Sequence, residues 1–325
     1  MLLPILAILA GFALLVWSSD IFVDGASAIA RLLGVSPLVI GITIVGFGTS
    51  APEMLISTFA ALEGAPQLAI GNAIGSNIAN IALVLGVTTI ICAVTIESRL
   101  LKLELPILVG AMFFGYIMII DGFITALDAI LLFVVLIAIL SWLVRDAMSK
   151  RNGVEDTLAT QVSDDLDEQH LSMGKAILYF AVGLAVLLAS SKMLVWGATI
   201  VATHFGVSEL VIGLTIVAIG TSLPELAASI SSARKGEADI AIGNVIGSNL
   251  FNILAVMAIP GLFAKTIVPA EALSRDYPIM LALTIVMVLM AFRFGREQAT
   301  IGRIAGIGFF AAFIAYQIML FVGVR

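Results

Sequence analysis

The chain has 325 residues, of which 61% are hydrophobic and 12% charged, with a formal net charge of −6 at pH 7. A soluble domain carries about twice that charged fraction, and the apolar runs are continuous, unlike the alternating strands of an outer-membrane barrel. The single cysteine, Cys92, excludes an intramolecular disulfide. The composition predicts an all-α polytopic membrane protein.

Ten apolar runs could cross a bilayer, which takes about 20 residues of helix. The first run lacks the basic segment and the small-residue cleavage site of a signal peptide, so we interpret it as a transmembrane helix. The predicted spans are residues 2–30, 37–61, 67–92, 103–120, 124–145, 174–202, 209–233, 239–261, 277–294 and 303–323.

Five of these spans precede the one long hydrophilic segment, and five follow it. The segment is acidic and too short to fold as a domain. Residues 146–173 are therefore predicted to be a cytoplasmic linker between a first five-helix unit (1–145) and a second (174–325). A regulatory cation site in the linker is the alternative interpretation.

The two units repeat each other. With an offset of 172 residues, Gly34–Leu85 aligns with Gly206–Met257 without a gap, and 29 of the 52 positions are identical. Because five spans is an odd number, the second unit must enter the membrane from the opposite side. The sequence predicts two inverted five-helix repeats, an architecture of many secondary transporters.

Positive charge predicts the orientation. With the N-terminus outside, twelve Lys and Arg residues lie on the cytoplasmic side and three, Lys265, Arg275 and Arg325, lie outside. Both termini are predicted to be periplasmic and the linker cytoplasmic, in a bacterial inner membrane.

The remaining cation, Lys192, stands 172 residues after Asp20, and opposite charges in a membrane tend to pair. We predict an ion pair between them; alternatively, each side chain reaches the interface separately.

Each repeat contains a proline-broken motif, "GTSAPE" at Gly48–Glu53 and "GTSLPE" at Gly220–Glu225. Proline lacks an N–H and clashes with the carbonyl four residues earlier, so we expect the helix to bend and free backbone carbonyls. Non-helical backbone at membrane depth is buried in protein or lines a wet cavity. The carbonyl, hydroxyl and carboxylate oxygens together suit hard cations such as Ca²⁺.

A second motif follows in each repeat, "GNAIGSNIAN" at Gly71–Asn80 and "GNVIGSNLFN" at Gly243–Asn252. Asn72, Ser76 and Asn80 are four residues apart and share one helix face, while the GxxxG pair permits close helix approach. We expect this helix to pack against the broken one and add oxygens to the same site. The alternative is that its glycines and amides serve helix packing alone.

Glu53 and Glu225 carry the functional prediction. An unpaired carboxylate at mid-membrane is costly, and neither motif contains a basic residue. Two such acids at equivalent places of an inverted repeat are best explained by a shared cation, since one Ca²⁺ neutralises both charges. Na⁺ competing for the same oxygens would give exchange. The alternative is that both acids are protonated and purely structural.

The paired "GTS-x-PE" and "GN-x-x-GSN" motifs resemble those of the Na⁺/Ca²⁺ exchanger family, within the Ca²⁺/cation antiporter superfamily, over nearly the whole chain. The resemblance implies that Glu53 and Glu225 are the central ligands and that the first and sixth helices slide against the other eight. Asn252 stands where K⁺-dependent relatives carry aspartate, which implies the K⁺-independent type. The remaining implied ligands are the backbone of Thr49 and Thr221 for Ca²⁺, then Gly46, Ser50, Ser76, Ala218, Ser222 and Ser248 for Na⁺, with Asn80 and Asn252 beside the centre.

Other functions are weaker predictions. The principal alternative is a H⁺/Ca²⁺ or broader divalent cation/proton antiporter, since mid-membrane glutamates can titrate. An enzyme is not predicted, because His170 and His204 lie away from the motifs and no nucleophile or phosphate-binding motif accompanies them. A passive channel is disfavoured, since paired carboxylates would hold a divalent ion too tightly for fast conduction. No cofactor or nucleic-acid partner is predicted, and the partners are the lipid bilayer and the transported ions Na⁺ and Ca²⁺.

Overall fold

The computed structural model describes residues 1–97, 103–151, 171–205, 218–291 and 298–323, and most of these residues are helical. The first half contains helices, two π-helical segments and two short strands. In chain order they are α1 (Leu2–Leu33), α2 (Pro37–Ile40), π1 (Gly41–Val45), α3 (Gly46–Thr49), α4 (Ala51–Leu62), α5 (Pro66–Ala79), π2 (Asn80–Leu85), α6 (Gly86–Ile91), β1 (Val94–Glu97), α7 (Glu104–Ile119), β2 (Phe123–Ile124) and α8 (Ala126–Arg151).

The second half follows the same plan. Its elements are α9 (Met173–His204), α10 (Ala218–Thr221), α11 (Leu223–Arg234), α12 (Ala238–Phe251), π3 (Asn252–Val256), α13 (Ile259–Phe263), β3 (Thr266–Ile267), π4 (Ala272–Asp276), α14 (Tyr277–Ala291), β4 (Gln298–Ile301) and α15 (Arg303–Gly323).

Within the described residues, seven helices are long and apolar enough to cross a membrane, and the bent pair Pro37–Thr49 and Ala51–Leu62 could form an eighth span. The apolar helix Glu104–Ile119 is shorter. The chain is therefore a helical membrane protein, as its composition predicts. Residues 209–217 and 292–294 of two predicted spans lie outside the described residues.

The predicted linker begins too early. Helix α8 continues to Arg151, so residues 146–151 are helical rather than part of a loop. The apolar run ends near residue 145, but nothing in the next six residues breaks a helix, since neither glycine nor proline occurs there. Residues 152–170 of the predicted linker lie outside the described residues.

Two short antiparallel ladders add strands that the sequence analysis did not predict. β1 pairs with β4, with Val94 opposite Ile301, and β2 pairs with β3, with Phe123 opposite Ile267. The β-branched residues of these segments favour extended backbone. From the alternation of the helices, β2 and β3 lie at the end of the bundle where α1 begins (end I), and β1 and β4 lie where α1 ends (end II).

The centre of the molecule is formed by the two runs that carry the asparagine motifs. Of their apolar windows, 78% is buried in Pro66–Ile91 and 94% in Ala238–Phe263, against 22–33% for the other candidate spans. These two runs are therefore enclosed by protein, whereas the peripheral helices keep one apolar face free for lipid.

Helices α1 and α9 pack antiparallel along most of their length, and glycines set their close approach. A Cβ added at Gly25 would lie 2.3 Å from the backbone nitrogen of Phe180, and one at Gly183 would lie 2.6 Å from Cα of Phe22. Real Cβ atoms do not approach backbone so closely, so these positions require glycine. Gly11 and Gly197 make similar contacts nearer end I.

The predicted Asp20–Lys192 ion pair is wrong. Gly11 faces Ser190 and Leu194, so positions related by the 172-residue offset meet only near Leu15 and Leu187. The residue of α9 that lies beside Asp20 is therefore about nine residues away from Lys192. At 1.5 Å per residue, Asp20 and Lys192 are separated by roughly 13 Å along the helix axes. Equivalent positions meet only where they lie at the pseudo-twofold axis, and Asp20 lies away from it.

Asp20 instead belongs to a group of polar contacts at end II that joins α1 to α11, which we term the polar clasp. Ser231 Oγ donates to Asp20 Oδ1 at 2.5 Å, and Lys235 Nζ donates to the Asp20 carbonyl and to Asp24 Oδ1, each at 2.7 Å. Glu237 adds two contacts, accepting a hydrogen bond from Ser27 Oγ at 2.5 Å and lying 3.8 Å from Arg31.

Candidate cation-binding site

The proline motifs interrupt their helices at the same place in both halves. Ser50 has φ −83° and ψ 2°, and Ser222 has φ −88° and ψ 3°, whereas helical ψ is about −42°. Pro52 and Pro224 follow at the start of α4 and α11, where a missing N–H costs nothing. The first interruption bends the span by 42°, so the bend predicted from the proline is present.

The carbonyls freed by the prolines are those four residues earlier, Gly48 and Gly220. Gly220 O accepts a hydrogen bond from Ser191 Oγ on α9 at 2.8 Å. Ser19, the equivalent of Ser191, instead bonds Val16 O within its own helix. The Gly46 carbonyl is engaged, because Ser50 N–H donates to it at 3.1 Å.

Glu53 and Glu225 lie in the first turns of α4 and α11, and each residue is only 1% exposed. A helix N-terminus favours negative charge, which offsets part of the cost of burying each carboxylate. The two carboxylates are close enough to interact electrostatically. The two halves of the chain therefore bring two acids together at the centre of the molecule.

Hydroxyl groups surround these acids across the interface between the halves. The Thr221 side chain lies beside the Glu53 carboxylate, and those of Thr49 and Ser50 lie beside that of Glu225. Among the described residues, however, both carboxylate oxygens of Glu225 and Oε2 of Glu53 accept no well-formed hydrogen bond. Buried polar atoms are almost always bonded, so these oxygens are available to a cation.

Asn72 and Asn244 tie each acid-bearing helix to its motif helix. Asn72 Nδ2 donates to the Glu53 carbonyl at 3.1 Å and to Ser57 Oγ at 3.3 Å. Asn244 Nδ2 makes the same two bonds, to the Glu225 carbonyl at 3.2 Å and to Ser229 at 3.0 Å. Ser57 and Ser229 were not predicted as part of this arrangement, although a serine recurs four residues after each glutamate.

The first broken helix is packed closely on α12. Thr49 Oγ1 donates to Asn244 Oδ1 at 2.9 Å and lies 3.3 Å from Ser248 Oγ. A Cβ at Gly243 would lie 2.6 Å from Leu38 O, and one at Gly247 would lie 2.2 Å from Ile42 O. The prediction that the glycine face receives the broken helix is thus fulfilled for this pair.

The corresponding face of α5 lines a cavity of about 360 Å³. Gly71, Gly75 and Ser76 form part of its wall, and Thr221 lies on it. The cavity extends toward end I, where its wall includes Leu68, near the start of α5, and Leu320, near the end of α15. The polar groups of the motifs can therefore be approached from end I.

Among the remaining predicted ligands, Ser50, Ser222, Asn80 and Asn252 are buried. In the described part of the chain, the hydroxyls of Ser50 and Ser222 and both side-chain polar atoms of Asn80 and Asn252 lack hydrogen-bond partners. Asn80 and Asn252 begin π2 and π3, and π segments are frequent at functional sites. Ala218 begins α10, and only its backbone is described.

The donor set has few charges. No group of three or more His, Cys, Asp and Glu side chains able to hold a metal occurs in the described ranges. A cation here would be held by two carboxylates and by neutral hydroxyl, amide and carbonyl oxygens. Ligand charge sets the affinity of oxygen sites for Ca²⁺, so this composition suits an ion that must also be released.

Comparison with known proteins agrees with this arrangement. A family model described as "Sodium/calcium exchanger protein" matches residues 3–145 and 175–322. The chain is 44% identical over 324 residues to the "Putative antiporter CaxA" of Alkalimonas amylolytica, covering 99% of both chains. It is 37% identical over 322 residues to the "Inner membrane protein YrbG" of Escherichia coli (strain K12), covering 99% of this chain and 98% of the relative.

A solved structure extends the likeness to three dimensions. The sodium-calcium exchanger NCX_Mj, soaked with zero Na⁺ and Ca²⁺, superimposes with a TM-score of 0.84. The match has 34% sequence identity and covers 98% of this chain and 99% of that one. The similarity includes both halves of the molecule and both pairs of motifs.

Proposed function

Because the chain belongs to the sodium/calcium exchanger family, we propose that it is a secondary active antiporter that exchanges Na⁺ for Ca²⁺ across the membrane by alternating access. The observation that carries the proposal is the pair of buried glutamates, Glu53 and Glu225. Three of their four carboxylate oxygens, Oε2 of Glu53 and both of Glu225, accept no well-formed hydrogen bond in the described part of the chain. The names of NCX_Mj and CaxA support transport of cations rather than an enzymatic reaction.

In this proposal one Ca²⁺ binds between the two carboxylates, with the Thr49 and Thr221 backbone completing its ligands. Sodium ions bind to overlapping oxygens, so that occupancy by one ion lowers occupancy by the other. Asn80 and Asn252 adjoin the centre, and their unpartnered amides support that position. The Na⁺ ligands proposed are Gly46, Ser50, Ser76, Ala218, Ser222 and Ser248.

We further propose ten transmembrane helices in two inverted repeats, residues 1–145 and 174–325, joined by a cytoplasmic linker within 146–173. The α1–α9 pair would move relative to the central bundle to expose the site to one side at a time, as gating around a fixed site requires. End I would face the periplasm and end II the cytoplasm of a bacterial cell. The excess of Lys and Arg at end II supports this orientation, and the name of the YrbG relative supports an inner-membrane location.

Ca²⁺ uptake in proteoliposomes tests the proposal. Vesicles loaded with Na⁺ and diluted into Na⁺-free medium should take up Ca²⁺ at fixed pH, and equal Na⁺ on both sides should abolish the uptake. Vesicles with a pH gradient but no Na⁺ form the comparison. Uptake driven by the pH gradient alone would replace this proposal with H⁺/Ca²⁺ antiport, and Ca²⁺ equilibration without either gradient would indicate a channel.

A further inference from the structure

Arg275 and Asp276 lie outside both motifs, yet both line the cavity near end I. Both oxygens of the Asp276 carboxylate are occupied. Oδ1 accepts hydrogen bonds from Arg275 Nε at 2.8 Å and from Tyr316 OH at 3.1 Å, and Oδ2 accepts one from a terminal nitrogen of Arg275 at 3.1 Å. The side chains of Arg275 and Asp276 are only 33% and 15% exposed. The cavity entrance thus carries a carboxylate whose charge is neutralised by its neighbour.

This pairing requires an unusual backbone. Adjacent residues on an α-helix do not face each other, but Arg275 and Asp276 end the π-helical segment π4. The two parallel hydrogen bonds between arginine and carboxylate are the strongest form of such a pair. Both side chains are largely buried, so a chance surface contact is a poor explanation of this geometry.

The two repeats differ at this point. With the 172-residue offset, Asp276 aligns with Glu104 and Pro278 with Pro106, whereas Arg275 aligns with Leu103. The carboxylate at the start of the helix is therefore repeated, and the arginine occurs in the second half alone. The neutral entrance at end I is a property of Arg275 rather than of the repeated architecture.

We propose that Arg275 sets the electrostatic potential at the entrance of the cation pathway and thereby limits the preference of that entrance for Ca²⁺ over Na⁺. The proposal rests on the exchange function proposed above. A negative entrance concentrates cations, and the concentrating factor depends exponentially on ionic charge. A potential that raises local Na⁺ by some factor raises local Ca²⁺ by the square of that factor. Because Arg275 neutralises Asp276, the entrance is less negative and its preference for Ca²⁺ over Na⁺ is smaller.

The experiment measures Ca²⁺ uptake into Na⁺-loaded right-side-out membrane vesicles at low ionic strength, with external Ca²⁺ varied and external Na⁺ as competitor. Arg275→Gln is expected to lower the half-saturating Ca²⁺ concentration by about three- to tenfold, and the half-inhibiting Na⁺ concentration by about the square root of that factor. Asp276→Asn leaves the positive charge of Arg275 uncompensated. It should therefore raise both the half-saturating Ca²⁺ concentration and the half-inhibiting Na⁺ concentration. The double variant should return close to wild type.

Three controls separate charge from packing. Arg275→Lys keeps the positive charge and should resemble wild type. Lys265→Gln removes a cation at the same end but on an exposed residue outside the cavity wall, and should change little. The shifts should nearly vanish in about 1 M N-methylglucamine chloride, where the screening length is about 3 Å.

The outcomes distinguish the two proposals. If the wild-type protein shows no Na⁺-dependent uptake, the exchange function fails. If the wild-type protein exchanges but Arg275→Lys behaves like Arg275→Gln, or Asp276→Asn shifts both constants in the same direction as Arg275→Gln, the role of Arg275 at the entrance is overturned while the exchange function stands.

Discussion

The two asparagine-motif helices, α5 and α12, share most of their motif sequence but lie in different surroundings. The glycine face of α12 receives π1 and α3 in backbone contact, whereas the glycine face of α5 lines the cavity. The polar clasp is formed at end II, and its equivalents at end I are not formed in the described residues. The residues that align with π1, 213–217, lie outside the described part of the chain, so the contrast concerns the described faces. Under the alternating access proposed above, we expect the two faces to exchange their surroundings in the other state.

The largest predicted effect concerns the two buried glutamates, one from each half of the chain. Glu53→Gln or Glu225→Gln should each reduce Ca²⁺ transport by at least about a hundredfold, because breaking a buried charge interaction costs about 3–5 kcal/mol. Gln keeps the size and polarity and removes one of two charges. Na⁺-driven Ca²⁺ flux in proteoliposomes measures the loss, with Glu168→Gln in the hydrophilic segment as a matched control. A strong effect from only one glutamate would contradict the shared site.

The glycine faces provide the sharpest contrast. A Cβ at Gly247 would lie 2.2 Å from Ile42 O, so Gly247→Ala should destabilise the protein by about 1–3 kcal/mol and abolish most activity. Gly75→Ala is the matched comparison at the equivalent position, and because Gly75 lines the cavity we expect it to be tolerated better than Gly247→Ala. Melting temperature in detergent and Ca²⁺ flux measure both effects. Equal sensitivity of the two glycines would show that the asymmetry does not persist in solution.

The asparagines beside the centre should be less sensitive. Asn252→Asp adds a third negative charge next to two others, and the site then has to take up a proton or an additional cation. We expect Na⁺-driven Ca²⁺ flux to fall by about five- to tenfold, the equivalent of about 1.0–1.4 kcal/mol. Flux measured across pH, with and without K⁺, identifies the extra ion. Flux equal to wild type in every condition would mean that Asn252 serves helix packing only.

The smallest effect concerns the unformed counterpart of the polar clasp. Lys235 and Asp20, in contact at end II, align with Glu63 and Lys192, so the charges are exchanged between the halves. We expect Glu63 and Lys192 to meet when the cavity closes. Since exposed ion pairs contribute about 0.2–1 kcal/mol, Lys192→Glu should slow exchange about two- to fivefold.

Reversal of charge tests this counterpart. The double variant Lys192→Glu/Glu63→Lys should recover the wild-type rate, and a double-mutant cycle gives the coupling. Lys175→Glu, on an exposed residue at the start of α9, is the control. If the double variant is as slow as Lys192→Glu alone, the two side chains do not meet.

Much of the fold and of the candidate site could be predicted because these features depend on residues that are close together in the sequence. Pro52 and Pro224 interrupt their helices because each lacks a backbone N–H. The four-residue spacing of Asn72 and Ser76 puts both side chains on one face of α5. The structure confirms their contact, at 3.5 Å. Hydropathy also finds the apolar spans, because each needs only its own residues.

The features that failed depend on how distant elements meet. Nothing in the sequence states at which level α1 crosses α9, so the partner of Asp20 was wrongly assigned. Two nearly identical glycine faces do not reveal that one is in backbone contact with Leu38 and Ile42 while the other lines a cavity. Ser191 contacts the Gly220 carbonyl only because α9 passes beside the break, and no local pattern encodes that crossing.

The glycine contacts between α1 and α9 have a consequence for leakage. The close approach of the two backbones at four glycines along the pair leaves the helices little freedom to move separately. In the alternating access proposed above, opening at one end and closing at the other would then be a single event. Any moment with both ends open would let Na⁺ and Ca²⁺ run down their gradients without exchange. A helix pair that moves as one body would avoid this doubly open state. The four glycines would thereby limit uncoupled leakage of Na⁺ and Ca²⁺.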